Sequence, residues 1–155
     1  MIELKTGNIL ENSAYALVNP VNCYGAMGAG LAREFRRAYP RMYDEYLARC
    51  ADEEVRIGEL TTFDAGDKLI INFPTKNRWE EPSRLEYITE GLPVLRRLIL
   101  AKKIESIAIP ALGCGLGGLP WDEVQPQICA ALAFLKGVQI DLYAPHVQPR
   151  RNRRR

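Results

Sequence analysis

Two glycine-rich loops constrain the fold most, because each follows a strand-like apolar run and precedes a helical pattern. They lie at residues 25–30 and 113–118. Strands that alternate with helices favour a sheet covered by helices on both faces, and ligands bind beyond the carboxyl ends of such strands. The sequence therefore predicts a three-layer α/β/α fold with a central mixed sheet and a ligand site at these loops.

The order of the elements follows from short apolar runs and helical periodicity. Strands are predicted at residues 2–5, 14–19, 60–63, 69–73, 106–110 and 138–144, the third and fourth forming a hairpin around Ala65-Gly66-Asp67. Helices are predicted at residues 31–39, 40–50, 85–102 and 122–136. Ser83 and Glu86 have the spacing of a capping box before the third helix, and Gly137 closes the fourth.

The length of 155 residues suits one domain. We expect this domain at residues 1–145 and a basic linker or tail at residues 146–155. Residues 150–155 hold five of the 21 basic residues and no acidic one, so 16 basic residues face 19 acidic ones elsewhere. The formal charge of +2 therefore does not indicate a nucleic-acid partner by itself.

Composition excludes several classes of site. The four cysteines have no zinc-ligand or redox spacing, and a single histidine, His146, argues against a histidine metal centre or a Ser-His pair. We expect no metal and no cofactor. No apolar window of about 18 residues and no signal-peptide layout occurs, so we expect a cytoplasmic protein without a membrane segment.

The loops suit a phosphate ligand, because glycine lets backbone N–H groups approach it closely. Two loops can clamp a diphosphate, whereas the absence of Gly-Lys-Ser/Thr excludes a P-loop NTPase. The alternative is that both are ordinary tight turns. Asn22, before the first loop, either binds ligand hydroxyls or is a turn residue.

Lys76, Arg78 and Trp79 follow the fourth strand and lie on the same rim as the loops. Lys76 is a solvated surface lysine, a nucleophile beside a sugar's anomeric carbon, or a cation that stabilises a leaving group. Arg78 and Trp79 suit base stacking and phosphate contact, or else pack at the start of the next helix.

These motifs resemble those of a macrodomain, the ADP-ribose-binding α/β fold. The resemblance rests on Thr6-Gly7-Asn8-Ile9, Val18-Asn19-Pro20-Val21-Asn22, the glycines at 25–30 and the run 113–119. It implies adenine beside residues 7–9 and Tyr143, a diphosphate between the loops and the distal ribose at Asn22. The implied ADP-ribose contacts are Gly7, Asn8, Ile9, Asn19, Asn22, Gly25, Gly28, Gly30, Leu31, Thr75, Gly113, Cys114, Gly115, Leu116, Gly117, Gly118, Leu119 and Tyr143.

Within that superfamily, Pro74-Thr75-Lys76 together with Gly-Cys-Gly-Leu-Gly-Gly-Leu resembles the DarG branch of antitoxins. The branch removes ADP-ribose that the toxin DarT attaches to thymidine in single-stranded DNA. The resemblance implies an ADP-ribosyl glycohydrolase with Lys76 and Asn22 as catalytic residues. It also implies a DarT partner, gripped mainly by a second domain outside this chain, and DNA contacts at Arg78, Trp79 and Arg84.

One departure from related sites concerns the second loop. A glutamate-deribosylating branch uses a lysine with an aspartate, and Gly117 stands where that aspartate belongs. A lysine–aspartate mechanism therefore does not transfer unchanged. Two other functions remain open from the residues: hydrolysis of ADP-ribosylated protein carboxylates or O-acetyl-ADP-ribose, and ADP-ribose reading without catalysis.

Overall fold

A computed structural model describes residues 1–146 and contains six strands and four helices. The strands are β1 (Ile2–Lys5), β2 (Ala16–Asn22), β3 (Thr61–Asp64), β4 (Leu69–Lys76), β5 (Ser106–Ile109) and β6 (Gln139–Tyr143). The helices are α1 (Gly30–Ala38), α2 (Pro40–Ala51), α3 (Leu85–Ala101) and α4 (Trp121–Ala131). The predicted tail from residue 147 lies outside the described residues.

The strands form one sheet in the order β1-β6-β5-β2-β4-β3. All neighbouring strands are parallel except β3 and β4, which pair antiparallel as the predicted hairpin. One apolar cluster packs α3 and α4 on one face of the sheet, and a second packs α1 and α2 on the other. The predicted three-layer mixed α/β/α fold is confirmed.

Two strands run further than predicted, and each contains a proline. β2 continues past Pro20 to Asn22, and β4 continues past Pro74 to Lys76. Beyond Leu17, β2 pairs with β4 but no longer with β5. Pro20 is tolerated there because the ladder is one-sided and its missing N–H is not required.

The predicted capping box is wrong. Helix α3 begins at Leu85 after Arg84, and no side chain caps it. The Ser83 amide instead donates to the Gly117 carbonyl at 3.0 Å, which ties this segment to the second glycine loop. A tertiary contact has replaced the local cap.

Helix α4 is shorter than the predicted 122–136 and ends at Ala131. Arg96 of α3 donates to the carbonyls of Ala131 and Ala133 at 3.1 and 2.7 Å, which satisfies them without another helical turn. Phe134 then takes a left-handed backbone with φ 61°. No helix within residues 1–146 is long and apolar enough to cross a membrane.

Candidate active site

The predicted site residues meet where β2, β4 and β5 end. These strands are parallel neighbours, so their carboxyl ends reach one edge of the sheet. The register places Asn22 opposite Lys76, with an irregularity between Val21 and Asn22 that marks the start of the first loop. The first loop, residues 23–29, and the second loop, residues 110–120, both extend from this edge.

Asn22 holds the first loop in shape through its side chain. Its Oδ1 accepts from the amides of Tyr24, Gly25 and Ala26 at 3.0, 3.1 and 3.2 Å, and its Nδ2 donates to the Ala26 carbonyl at 2.7 Å. The amide group is therefore engaged with the loop itself. This geometry supports positioning of the loop by Asn22 more directly than contact with a ribose.

Tyr46 of α2 supports Asn22 from within the core. Its hydroxyl lies 2.6 Å from the Asn22 carbonyl oxygen and 2.9 Å from Asn22 Oδ1, and the side chain is fully buried. Burial raises the pKa of Tyr46 far above its ordinary value, so the hydroxyl stays a donor at neutral pH.

We expect Tyr46→Phe to destabilise the protein by about 1–3 kcal/mol, because buried acceptors lose their donor. Urea unfolding measures this loss. Tyr43→Phe is the matched control, since Tyr43 lies on the same helix and its hydroxyl makes no hydrogen bond within residues 1–146. Equal unfolding midpoints for the two variants would show that the Tyr46 hydroxyl does not hold the loop.

Both loops contain backbone donors that a ligand could use. The amides of Gly28 and Ala29 in the first loop, and of Gly115, Leu116 and Gly117 in the second, have no acceptor within residues 1–146. Helix α1 begins at Gly30 with no side-chain cap, which leaves its first amides free as well. Free amides at a helix start and a glycine turn can bind an anion, which is compatible with the diphosphate that the resemblance implies.

The end of the first loop and the second loop approach each other at Gly30 and Leu116. A Cβ built on Gly30 would lie 3.3 Å from Leu116 Cδ1, and the Leu116 side chain is 71% exposed. An exposed leucine that reaches across to the opposite loop can cover a bound diphosphate and reduce its contact with water.

The second loop has no room for a side chain at Gly117. A Cβ there would collide with Ser83 Oγ and lie 2.5 Å from the Gly113 carbonyl oxygen. Ser83 Oγ is buried and makes no hydrogen bond within residues 1–146. The aspartate missing from this position is thus excluded by packing as well as by sequence.

Lys76 ends β4 and connects it to the second loop. Its Nζ donates to the Leu116 carbonyl at 3.3 Å and to the Trp79 carbonyl at 3.4 Å. No carboxylate of the described chain forms an ion pair with it. Burial lowers the pKa of Lys76, so its neutral amine forms more readily than that of a free lysine.

Cys114 does not compete with Lys76 as a nucleophile. Its thiol lies in the second loop, and burial raises its pKa to about 11. A protonated thiol is a poor nucleophile at neutral pH. Within residues 1–146, no cluster of three or more histidine, cysteine, aspartate or glutamate side chains can hold a metal ion.

The residues predicted to contact adenine follow β1, at residues 7–9, and end β6, at Tyr143. Asn8 Oδ1 accepts from the Leu10 amide at 3.0 Å and so caps the short helical turn Ile9–Glu11. Ile9 and Tyr143 are buried in the same apolar cluster, and the Tyr143 hydroxyl lies 3.0 Å from Asn12 Nδ2. The structure therefore brings the two predicted adenine neighbours together.

Asn19 corrects one prediction. Its side chain is fully buried in β2, where Nδ2 donates to Asn72 Oδ1 of β4 at 3.1 Å. A side chain with no exposed surface has no atom available for the ligand. Asn19 links two central strands instead.

Arg78, Trp79 and Arg84 are exposed, and their contact with DNA stays a prediction. Arg78 also forms an ion pair with Glu80 at 2.8 Å, which offsets its charge. Tyr24 was not predicted, although it lies in the first loop beside Arg78. Its sequence signal was an aromatic residue inside a glycine-rich loop.

The chain is similar to known proteins over most of its length. The Macro domain family model matches residues 18–128. A DNA ADP-ribosyl glycohydrolase of Thermus aquaticus is 44% identical over 154 residues, which are 97% of this chain and 43% of the relative. The corresponding protein of Mycobacterium tuberculosis is 44% identical over 94% of this chain and 42% of its own length. The chain thus spans less than half the length of these relatives.

Solved structures show the same architecture. The macrodomain of Thermus aquaticus DarG has a TM-score of 0.90 at 45% identity and covers 94% of this chain and 99% of its own. Thermosipho africanus DarTG in complex with ADP-ribose has a TM-score of 0.88 at 29% identity, over 96% of this chain and 43% of that one.

Proposed function

This chain belongs to the Macro domain family, and from that premise we propose that it removes ADP-ribose from thymidine in single-stranded DNA. One observation carries the proposal. Lys76 is half-buried beside the anion-binding loops, has no carboxylate partner in the described chain and has a lowered pKa. The name of its relatives, DNA ADP-ribosyl glycohydrolase, supports the substrate.

The bond to be broken joins C1″ of the distal ribose to a nitrogen of the base. In the proposed reaction the Lys76 amine forms a bond to C1″ while the bond from C1″ to the base breaks; the electron pair stays on the base, which takes up the proton that the lysine nitrogen releases. Water then adds its hydroxyl to C1″, the bond from the lysine nitrogen to C1″ breaks, and that nitrogen takes up the remaining proton of the water. The loop amides hold the diphosphate meanwhile, and this fixes C1″ next to Nζ.

We propose that the ADP-ribose contacts are the loop residues named from the resemblance, with Asn22 shaping the ribose side of the first loop. Arg78, Trp79 and Arg84 lie outside these two loops and are proposed to meet the DNA strand. Because Glu80 offsets the charge of Arg78, contact through its planar face is favoured over a strong phosphate contact.

The proposed biological role is that of an antitoxin to a DNA ADP-ribosyltransferase toxin. Support comes from a Thermosipho africanus relative, 32% identical over 93% of this chain and 42% of its own length. Its name is DNA ADP-ribosyl transferase-DNA ADP-ribosyl glycohydrolase fusion protein. A toxin partner of the DarT type follows as a proposal.

The test compares substrates that share ADP-ribose and differ in the leaving group. We expect faster release from an ADP-ribosylated thymidine oligonucleotide than from ADP-ribosylated protein carboxylates or O-acetyl-ADP-ribose, measured as kcat/KM. A higher kcat/KM for the protein carboxylates or for O-acetyl-ADP-ribose would show that these, and not DNA, are the preferred substrates. Micromolar ADP-ribose binding without turnover of any substrate would make the chain a reader.

A further inference from the structure

The side chains of Tyr24, in the first loop, and Arg78, after β4, form an exposed stack near Lys76. The Arg78 guanidinium carbon lies 4.8 Å from the Tyr24 ring centroid, yet the Tyr24 side chain is 57% exposed. One face of the ring is covered by the guanidinium, so the open surface belongs to the other face and the edge. Trp79, 59% exposed, follows in sequence.

This stack is held close to Lys76. The amide of Cys23, which precedes Tyr24, donates to the carbonyls of Lys76 and Asn77 at 3.0 Å each. Arg78 stands two residues after Lys76, and Lys76 Nζ donates to the Trp79 carbonyl. Backbone contacts thus hold the segments that carry Tyr24 and Arg78 next to Lys76.

The fold does not require an aromatic ring at residue 24. Tyr24 shapes its loop through its backbone amide, which donates to Asn22 Oδ1 at 3.0 Å, and its hydroxyl makes no hydrogen bond within residues 1–146. Arg78 is fixed by the Glu80 carboxylate, with Nε 2.8 Å from Oε1. The result is a flat surface with little net charge, which suits stacking of a base more than binding of a phosphate.

We propose that Tyr24 and Arg78 form a stacking subsite for a nucleobase adjacent to the modified thymidine. This rests on the proposed function, since only a DNA strand places a second base next to the scissile bond. The subsite discriminates a strand from a lone nucleoside and tolerates different neighbouring bases, because every base has a stacking face.

The experiment compares an ADP-ribosylated thymidine oligonucleotide with ADP-ribosylated thymidine as a single nucleoside. The readout is the ratio of the two kcat/KM values. We expect Tyr24→Ala to lower this ratio about 5- to 150-fold, the equivalent of roughly 1–3 kcal/mol for one stacked base. Tyr24→Phe keeps the ring and is expected to keep the ratio.

Tyr15→Ala is the matched control, because Tyr15 is an exposed tyrosine just before β2 whereas Tyr24 lies just after it. For Tyr15→Ala, the ratio of the two kcat/KM values should equal that of the wild type. Stacking also predicts that the Tyr24→Ala defect persists as salt is raised, whereas a defect that salt abolishes would indicate phosphate contact and overturn the proposal.

Two failures are distinguishable. If the wild type releases ADP-ribose from neither DNA substrate, the proposed function is wrong and the subsite falls with it. If the wild type hydrolyses both and Tyr24→Ala has the wild-type ratio, the function stands and the subsite is wrong. If Tyr24→Phe also lowered the ratio of the oligonucleotide kcat/KM to the nucleoside kcat/KM, stacking would be overturned, because the effect would then belong to the hydroxyl.

Discussion

Lys76→Ala is expected to reduce release of ADP-ribose by about 10²- to 10⁴-fold, the range for removing a group that takes part directly in the chemical step. ADP-ribose affinity should change little, because the diphosphate is held by backbone amides that do not depend on Lys76. Turnover is measured with the modified oligonucleotide and affinity by calorimetry.

Lys102→Ala is the matched control, since Lys102 is an exposed lysine at the far end of α3. It should behave as wild type in both measurements. Wild-type turnover by Lys76→Ala would remove the residue from the mechanism, and a loss of ADP-ribose affinity would make it a binding residue.

The pH dependence of the wild type separates two roles of Lys76. Burial lowers the pKa of the ammonium, so on raising the pH the neutral amine forms below the ordinary lysine range. A nucleophilic amine predicts that kcat rises with pH up to this lowered pKa and then levels off. A cation that stabilises the departing base predicts a fall through the same range.

Gly117→Ala is expected to destabilise the protein. Its Cβ would collide with Ser83 Oγ and lie 2.5 Å from the Gly113 carbonyl oxygen. The Gly113 carbonyl belongs to the backbone and cannot move without distorting the loop. Overpacking of this kind costs about 1–3 kcal/mol, which lowers Tm by roughly 2–4 °C per kcal/mol in a domain of about this size. Thermal unfolding measures the shift.

Gly115→Ala provides the comparison within the same loop. A Cβ on Gly115 meets no atom within 4 Å, so its Tm should match that of the wild type. Ser83→Ala combined with Gly117→Ala should recover only part of the loss, because the Gly113 carbonyl still blocks the new methyl group. Equal Tm values for the two single glycine variants would refute tight packing at Gly117.

Much of the fold was predictable because it depends on local patterns. Apolar runs located the strands, and the position of the glycine loops after β2 and β5 indicated which end of the sheet carries the site. Lys76 could be singled out for the same reason, since it lies just past the predicted end of an apolar strand.

The unpredicted features depend on contacts between distant segments. Ser83 matches a local capping pattern, yet it packs against Gly117. Helix α4 has a periodicity that extends to Lys136, yet Arg96 from another helix satisfies its last carbonyls. The support of Asn22 by the Tyr46 hydroxyl is likewise invisible in sequence, where Tyr46 reads only as an apolar position on α2.

The position of β2 between β4 and β5 has a consequence for synthesis of the chain. β2 is made before either neighbour, and Lys76 meets the Leu116 carbonyl across 40 residues of sequence. While the chain is being synthesised, both edges of β2 therefore remain unpaired until β4 and β5 have emerged. The contact of Lys76 with the second loop can form only after residue 116 has been made, so the site cannot be complete before then.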